Sequence, residues 1–156
     1  MIRETVGDIF QTRAVAVVIP VNCEGVMGKG LAFAAKTALK VQSKAYMAEC
    51  KNRLCSPGSI YVHPGDLGGF DKVIFATTKD KWKDPSKLLW VEEIIDKLTV
   101  EIPRLGLPSV AVPALGCGAG GLAWPKVQMR MKVAFEKVPG VEWVLYAPPG
   151  QQYARP

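Results

Sequence analysis

Apolar runs of strand length alternate with stretches of helical period over most of this chain. Residues 2–6, 14–21, 59–63, 72–77, 110–112 and 142–146 read as strands, short runs rich in Val, Ile, Tyr and Phe. Residues 30–40 set Leu31, Ala34, Ala35 and Ala38 on one helical face, and residues 42–53 form a second helix opened by Ser43. The strongest helical signal starts at Asp84-Pro85-Ser86, where Leu88, Val91, Ile95, Leu98 and Ile102 recur at three- and four-residue steps. Pro125 suits the first turn of a last helix whose Val127, Met131, Ala134 and Phe135 face inward, and Pro139-Gly140 ends it. Turn chemistry marks Pro57-Gly58 and residues 64–69. This alternation predicts an α/β fold with short strands buried by helices on both faces. At 156 residues it is read as one domain, with a core over about residues 1–147 and a Pro/Gln/Gly-rich tail at 148–156.

Two glycine-rich segments each join a strand to a helix. The first runs Val21-Asn22-Cys23-Glu24-Gly25-Val26-Met27-Gly28-Lys29-Gly30, and the second runs from Pro113 through Leu115-Gly116-Cys117-Gly118-Ala119-Gly120-Gly121 to Trp124. Glycine lets backbone N–H groups come close to a ligand, and the next helix adds the partial positive charge of its N-terminus. One such loop holds one phosphate, and two facing loops hold a diphosphate. Neither is a known nucleotide signature of another kind. The first has Gly30 where a P-loop needs its magnesium-binding Ser or Thr. The second satisfies G-x-G-x-x-G, but too little chain remains after it to complete a dinucleotide fold.

Composition narrows the classes. The chain is 49% hydrophobic and 22% charged, as an ordinary globular domain is. No apolar run approaches the roughly 20 residues of a membrane span, and Arg3 and Glu4 near the start, with no apolar stretch of signal-peptide type after them, argue against a signal peptide. The expected setting is cytoplasmic. The four cysteines (Cys23, Cys50, Cys55, Cys117) lack paired C-x2-C spacing and His63 is the only histidine, so no metal is expected. Cys23 and Cys117 read as small fillers of tight turns. The net charge of +6 suits an acidic partner. Its densest part, Lys79, Lys81, Lys83 and Lys87 around Trp82, fits single-stranded nucleic acid, although composition alone favours a solvated turn before a helix.

Candidate catalytic groups are few. There is no G-x-S-x-G elbow and, apart from Glu24, no carboxylate in either glycine loop. Asn22 and Lys79 are the polar residues that stand at strand ends. Asn22 either bonds a ligand hydroxyl or caps its own loop. Lys79 is either an ordinary exposed lysine or one shielded enough to act as a nucleophile.

Taken in combination, Gly7-Asp8-Ile9 after the first strand, the segment from Val21 to Gly30, and that from Pro113 to Trp124 resemble the macrodomain family. Thr78-Lys79 with Trp82 three residues on resembles the branch containing the DNA ADP-ribosyl glycohydrolase antitoxin DarG and the human terminal ADP-ribose glycohydrolase. The resemblance implies a three-layer α/β/α sandwich around a mixed sheet of about six strands, with both glycine loops at one sheet edge. It implies ADP-ribose as ligand and no cofactor. Asp8 would take the adenine amino group, with the Ile9 backbone beside it. Val26, Gly28, Lys29 and Gly30, with Leu115, Gly116, Cys117, Gly118, Ala119, Gly120 and Gly121, would cradle the diphosphate, and Asn22 would meet the distal ribose. Lys79 would be catalytic, in removal of ADP-ribose from thymine of single-stranded DNA, with Lys81, Trp82 and Lys83 along the DNA. The alternatives are a non-catalytic ADP-ribose-binding module and an ADP-ribose 1″-phosphate phosphatase. Two departures stand out: Gly120 where the human enzyme has Asp, and Lys81 where the branch commonly has His.

Overall fold

Strand and helix alternate in the order β1 (Ile2–Thr5), β2 (Ala16–Asn22), α1 (Gly30–Ala38), α2 (Lys40–Lys51), β3 (Ile60–Pro64), β4 (Lys72–Lys79), α3 (Leu88–Arg104), β5 (Ser109–Val112), α4 (Trp124–Phe135) and β6 (Glu142–Tyr146). The computed structural model describes residues 1–52, 55–66 and 69–149. The predicted helix end at Arg53, Leu67-Gly68 of the predicted turn, and the tail from Gly150 lie outside these. One six-stranded sheet has the order β1-β6-β5-β2-β4-β3. Every neighbouring pair is parallel except β3 with β4, so β3 makes the sheet mixed.

The period of two along the strands builds the layers. Ala16, Val18, Ile74, Ala76, Val110, Val112, Trp143 and Leu145 face one side and pack on Val91, Ile95 and Leu98 of α3 and Val127, Met131 and Phe135 of α4. The intervening Val17, Ile19, Val21, Val73, Phe75 and Ala111 face the other side, against Ala35 of α1 and Tyr46 and Cys50 of α2. The chain is therefore a three-layer α/β/α sandwich.

Three local expectations are corrected. In α1, Ala34 and Ala38 are exposed, and Leu31, Ala32 and Ala35 turn inward instead. Ser43 does not open α2: the helix begins at Lys40, and the Ser43 hydroxyl donates to the Ala35 carbonyl across the break at Leu39. The third helix starts at Leu88, so Ser86 is left to another task.

The glycine loops are also not at an edge of the sheet. β2 and β5 are neighbours at its centre, and the chain runs from β2 toward β4 on one side and from β5 toward β6 on the other. The two strands pair only at Ala16–Val110 and Val17–Ala111, whereas β2 and β4 stay paired from Ala16–Lys72 to Asn22–Lys79. A crevice forms at the carboxyl ends of strands wherever the winding direction reverses in this way. Both glycine loops open into it.

Candidate active site

Because β1, β6, β5, β2 and β4 are parallel, the segments leaving their C-terminal ends gather at one end of the sheet. Asp8 comes after β1, the second glycine loop after β5 and the first after β2, while Lys79 ends β4. Asp8 is exposed, and one carboxylate oxygen accepts from the Phe10 N–H at 2.9 Å, which caps a 3-10 turn at Ile9–Gln11. Ile9 itself is buried, so only its backbone is on offer to a ligand.

The first loop is built around Asn22. Its Oδ1 accepts from the N–H groups of Glu24 (3.0 Å) and Val26 (3.2 Å), and its Nδ2 donates to the Val26 carbonyl at 2.7 Å. The Asn22 carbonyl accepts from the Tyr46 hydroxyl at 2.5 Å. Asn22 thus caps its own loop, with one amide hydrogen left over. Among the described residues, the N–H groups of Met27, Gly28, Lys29 and Gly30 have no hydrogen-bond partner in the chain. α1 then begins with Lys29 as a cap that offers no side-chain bond. Unsatisfied donors at a helix N-terminus are what an anion needs.

The second loop repeats the arrangement. Cys117 N–H donates to Ala114 and Leu122 N–H to Gly116, which folds the loop, while the N–H groups of Gly118, Ala119 and Gly120 find no acceptor among the described residues. α4 again starts without a side-chain cap, at Ala123. Gly116 is required twice over: its φ is +74°, and a Cβ there would stand 2.7 Å from Leu122 Cδ1. Gly120 is required by space alone. A Cβ on it would lie 2.3 Å from Ser86 Oγ and 2.5 Å from the Gly116 carbonyl oxygen. Ser86 is 6% exposed, its N–H donates to the Gly120 carbonyl at 2.9 Å, and its hydroxyl has no partner among the described residues. Sequence reasoning missed Ser86, since a serine after proline reads as a helix start. Its presence also gives the departure at Gly120 a physical cause, because an Asp there has nowhere to go.

Lys79 is placed by an irregularity. Val21 pairs with Thr77, yet Asn22 pairs with Lys79, so Thr78 is an extra residue that bulges β4 and redirects the end of the strand. Lys79 is half-buried and its Nζ donates to the Trp82 carbonyl at 3.1 Å. The Trp82 N–H in turn donates to Glu24 Oε1 at 2.8 Å. Lys81, Trp82 and Lys83 are exposed on the turn beyond, with Lys83 Nζ 5.5 Å from the Trp82 ring centroid.

The thiols are poorly suited to chemistry here. Burial pushes Cys23 up to about 12 and Cys117 to about 11, so both stay protonated in their turns. Cys50 is pushed up to about 12, by burial first and then by the Cys55 sulfur 2.8 Å away. Among the described residues no group of three or more His, Cys, Asp or Glu side chains could hold a metal ion. No helix among them is long and apolar enough to cross a membrane. Two surface hollows of about 480 and 300 Å³ lie beside β3 and α3 and beside Phe10 and Gln42; neither touches a glycine loop.

The sequence model of the Macro domain family matches residues 18–131, from β2 through both glycine loops into α4. The chain belongs to the macro domain family. This macro domain is 39% identical over 151 residues to the DNA ADP-ribosyl glycohydrolase of Mycobacterium tuberculosis, covering 96% of this chain and 43% of that protein. It is 37% identical over 149 residues to the protein of the same name from Thermus aquaticus, covering 95% of this chain and 41% of that one. The chain thus spans less than half the length of the curated relatives it matches. Among solved structures, the macrodomain of M. tuberculosis DarG superposes with a TM-score of 0.91 at 39% identity, over 95% of this chain and 98% of that one. Thermosipho africanus DarTG, solved in complex with ADP-ribose, gives 0.85 at 28% identity, over 96% of this macro domain and 42% of that chain.

Proposed function

We propose that this macro domain binds ADP-ribose and hydrolyses the N-glycosidic bond joining it to a nucleobase, thymine, on single-stranded DNA. The observation that carries the reading is the order of the site across the sheet. Asp8 stands beyond β1, the two donor loops beyond the central β5 and β2, and Lys79 on β4. From β1 to β4 is four strand spacings, roughly 19 Å. Adenine, diphosphate and distal ribose succeed one another in the ligand in that same order. Relatives of 37–39% identity that carry the name DNA ADP-ribosyl glycohydrolase support the same choice.

The loops hold the diphosphate through neutral N–H dipoles, and binding energy from that remote group keeps the distal ribose in a reactive pose. The Lys79 nitrogen, through its lone pair, attacks C1″. The bond from C1″ to the base nitrogen breaks, and the base leaves with a proton. Water then adds to C1″ of the lysine adduct, releasing ADP-ribose and restoring the amine. Lys81, Lys83 and Trp82 track the DNA backbone and stack a base, in line with the chain's +6 charge.

Two measurements test the reading. Incubation with ADP-ribosylated single-stranded DNA, ADP-ribosylated protein and ADP-ribose 1″-phosphate should consume the first. Tight ADP-ribose binding with all three left intact makes the domain a reader, and consumption of the phosphate alone makes it a phosphatase. Asp8→Ala should weaken ADP-ribose binding by about 1.5–3 kcal/mol, the value of a hydrogen bond to a charged group. Calorimetry that finds its affinity unchanged removes Asp8 from the site.

A further inference from the structure

Glu24 is the only carboxylate in either glycine loop, and its surroundings give it a direction. The N–H before it, that of Cys23, donates to the carbonyls of Lys79 (3.1 Å) and Asp80 (3.0 Å), tying the root of the first loop to the end of β4. Its own N–H is held by Asn22 Oδ1 at 3.0 Å. So oriented, its side chain reaches over β4 to the turn beyond, where Oε1 takes the Trp82 N–H at 2.8 Å. Lysines stand on both sides of that turn, yet among the described residues Glu24 makes no ion pair. The carboxylate is committed to one backbone N–H, 58 residues away in sequence.

That N–H belongs to the residue whose carbonyl accepts from Lys79 Nζ at 3.1 Å. The peptide before Trp82 is fixed by Glu24, and the peptide after it fixes Lys79. We infer that Glu24 is a positioning residue: it anchors the Trp82 turn, and through that turn sets where the Lys79 nitrogen stands relative to the first glycine loop. The inference rests on the lysine mechanism proposed above. It makes the loop that seats the diphosphate and the group that attacks the ribose one mechanical unit, so that a seated diphosphate finds the amine already aimed. At 2.8 Å the N–H···O bond is short and directional enough for such a task. Glu24 is exposed, and its carboxylate makes no other bond among the described residues, so the fold does not depend on it.

The test compares Glu24→Ala, Glu24→Gln and Lys79→Ala, with single-turnover release of ADP-ribose from modified single-stranded DNA and calorimetric affinity for ADP-ribose as readouts. Glu24→Ala should slow release about 10- to 100-fold, as expected of a reactive group displaced by about 1 Å, with ADP-ribose affinity within about three-fold of wild type. Glu24→Gln keeps an oxygen for the Trp82 N–H and should stay within about three-fold in both. Glu24→Ala with wild-type release, while Lys79→Ala is inactive, overturns the inference and leaves the lysine mechanism standing. Lys79→Ala with wild-type release overturns the mechanism beneath it. A Glu24→Gln variant as slow as Glu24→Ala shows that charge, not placement, is what matters. An equal loss of ADP-ribose affinity in Glu24→Ala shows that Glu24 only builds the loop. Either result overturns the inference.

Discussion

Lys79→Ala should lower the release of ADP-ribose from modified DNA by at least about a thousand-fold while ADP-ribose itself still binds within a few-fold of wild type. The split reflects which atoms do what. The diphosphate donors proposed above are backbone groups of residues 27–30 and 118–120, in the loops beyond β2 and β5, and none of them depends on the Lys79 side chain. The side chain bonds one carbonyl, that of Trp82, on an exposed turn, so its loss leaves the loops standing. The reacting carbon, however, loses its nucleophile, and removal of a nucleophile is among the largest effects a single substitution produces in an enzyme. Lys79→Arg sharpens the result. Arginine keeps the charge but has no accessible lone pair, so it should be as inactive as alanine if the lysine attacks. Recovery of even a tenth of the wild-type rate by arginine would replace covalent attack with electrostatic stabilisation. Near-wild-type turnover in Lys79→Ala would end the lysine mechanism in either form.

Gly120→Ala should be the most damaging single methyl group in the crevice. The added carbon meets the Ser86 hydroxyl at 2.3 Å, the Gly116 carbonyl oxygen at 2.5 Å and Ser86 Cβ at 2.9 Å. Serine could turn aside, but the carbonyl belongs to the same loop and cannot. Relief therefore has to come from displacement of the loop, taking the N–H groups of residues 118–120 with it. Overpacking of this kind costs about 1–3 kcal/mol of stability. Losing one or two hydrogen bonds to a charged phosphate, at about 1.5–3 kcal/mol each, weakens ADP-ribose binding by roughly 10- to 20,000-fold. Ser86→Gly in the same chain should not restore binding, because the Gly116 carbonyl remains. Gly118→Ala, with nothing within 4 Å of its added carbon, should leave the unfolding temperature unchanged. A Gly120→Ala variant with wild-type affinity would show that the second loop is not part of the grip.

Much of this was legible because it is local. The stripe through Val91, Ile95, Leu98 and Ile102 is a property of one helix, and the alternation that splits Val17 and Ile19 from Ala16 and Val18 is a property of one strand. The glycine loops announced themselves by composition. The features that stayed hidden depend on partners distant in the chain. Ala34 and Ala38 fit the same period as Ala35, and only the sheet beneath α1 decides which of them is covered. The loops were expected at a sheet edge, but strand order is set by how β4, α3 and β5 cross over, which no short pattern records. The bulge at Thr78 leaves no mark in residue type, yet it decides where Lys79 stands. Ser86 and Glu24 act on residues 34 and 58 positions away, and each looks ordinary among its own neighbours.

Where β2 and β5 part, after Val17 and Ala111, the donors that the two glycine loops leave unpaired are peptide N–H groups, which every residue except proline can offer. On the function proposed above, that part of the hold on a ligand is indifferent to what the ligand is fastened to, as a clasp is to the cord passed through it. On the same reading, discrimination between one attached molecule and another falls to the side chains of the stretch from Lys79 to Lys87. A backbone shape that would grip the tag and a short run of side chains that would choose its bearer thus meet at this end of the sheet.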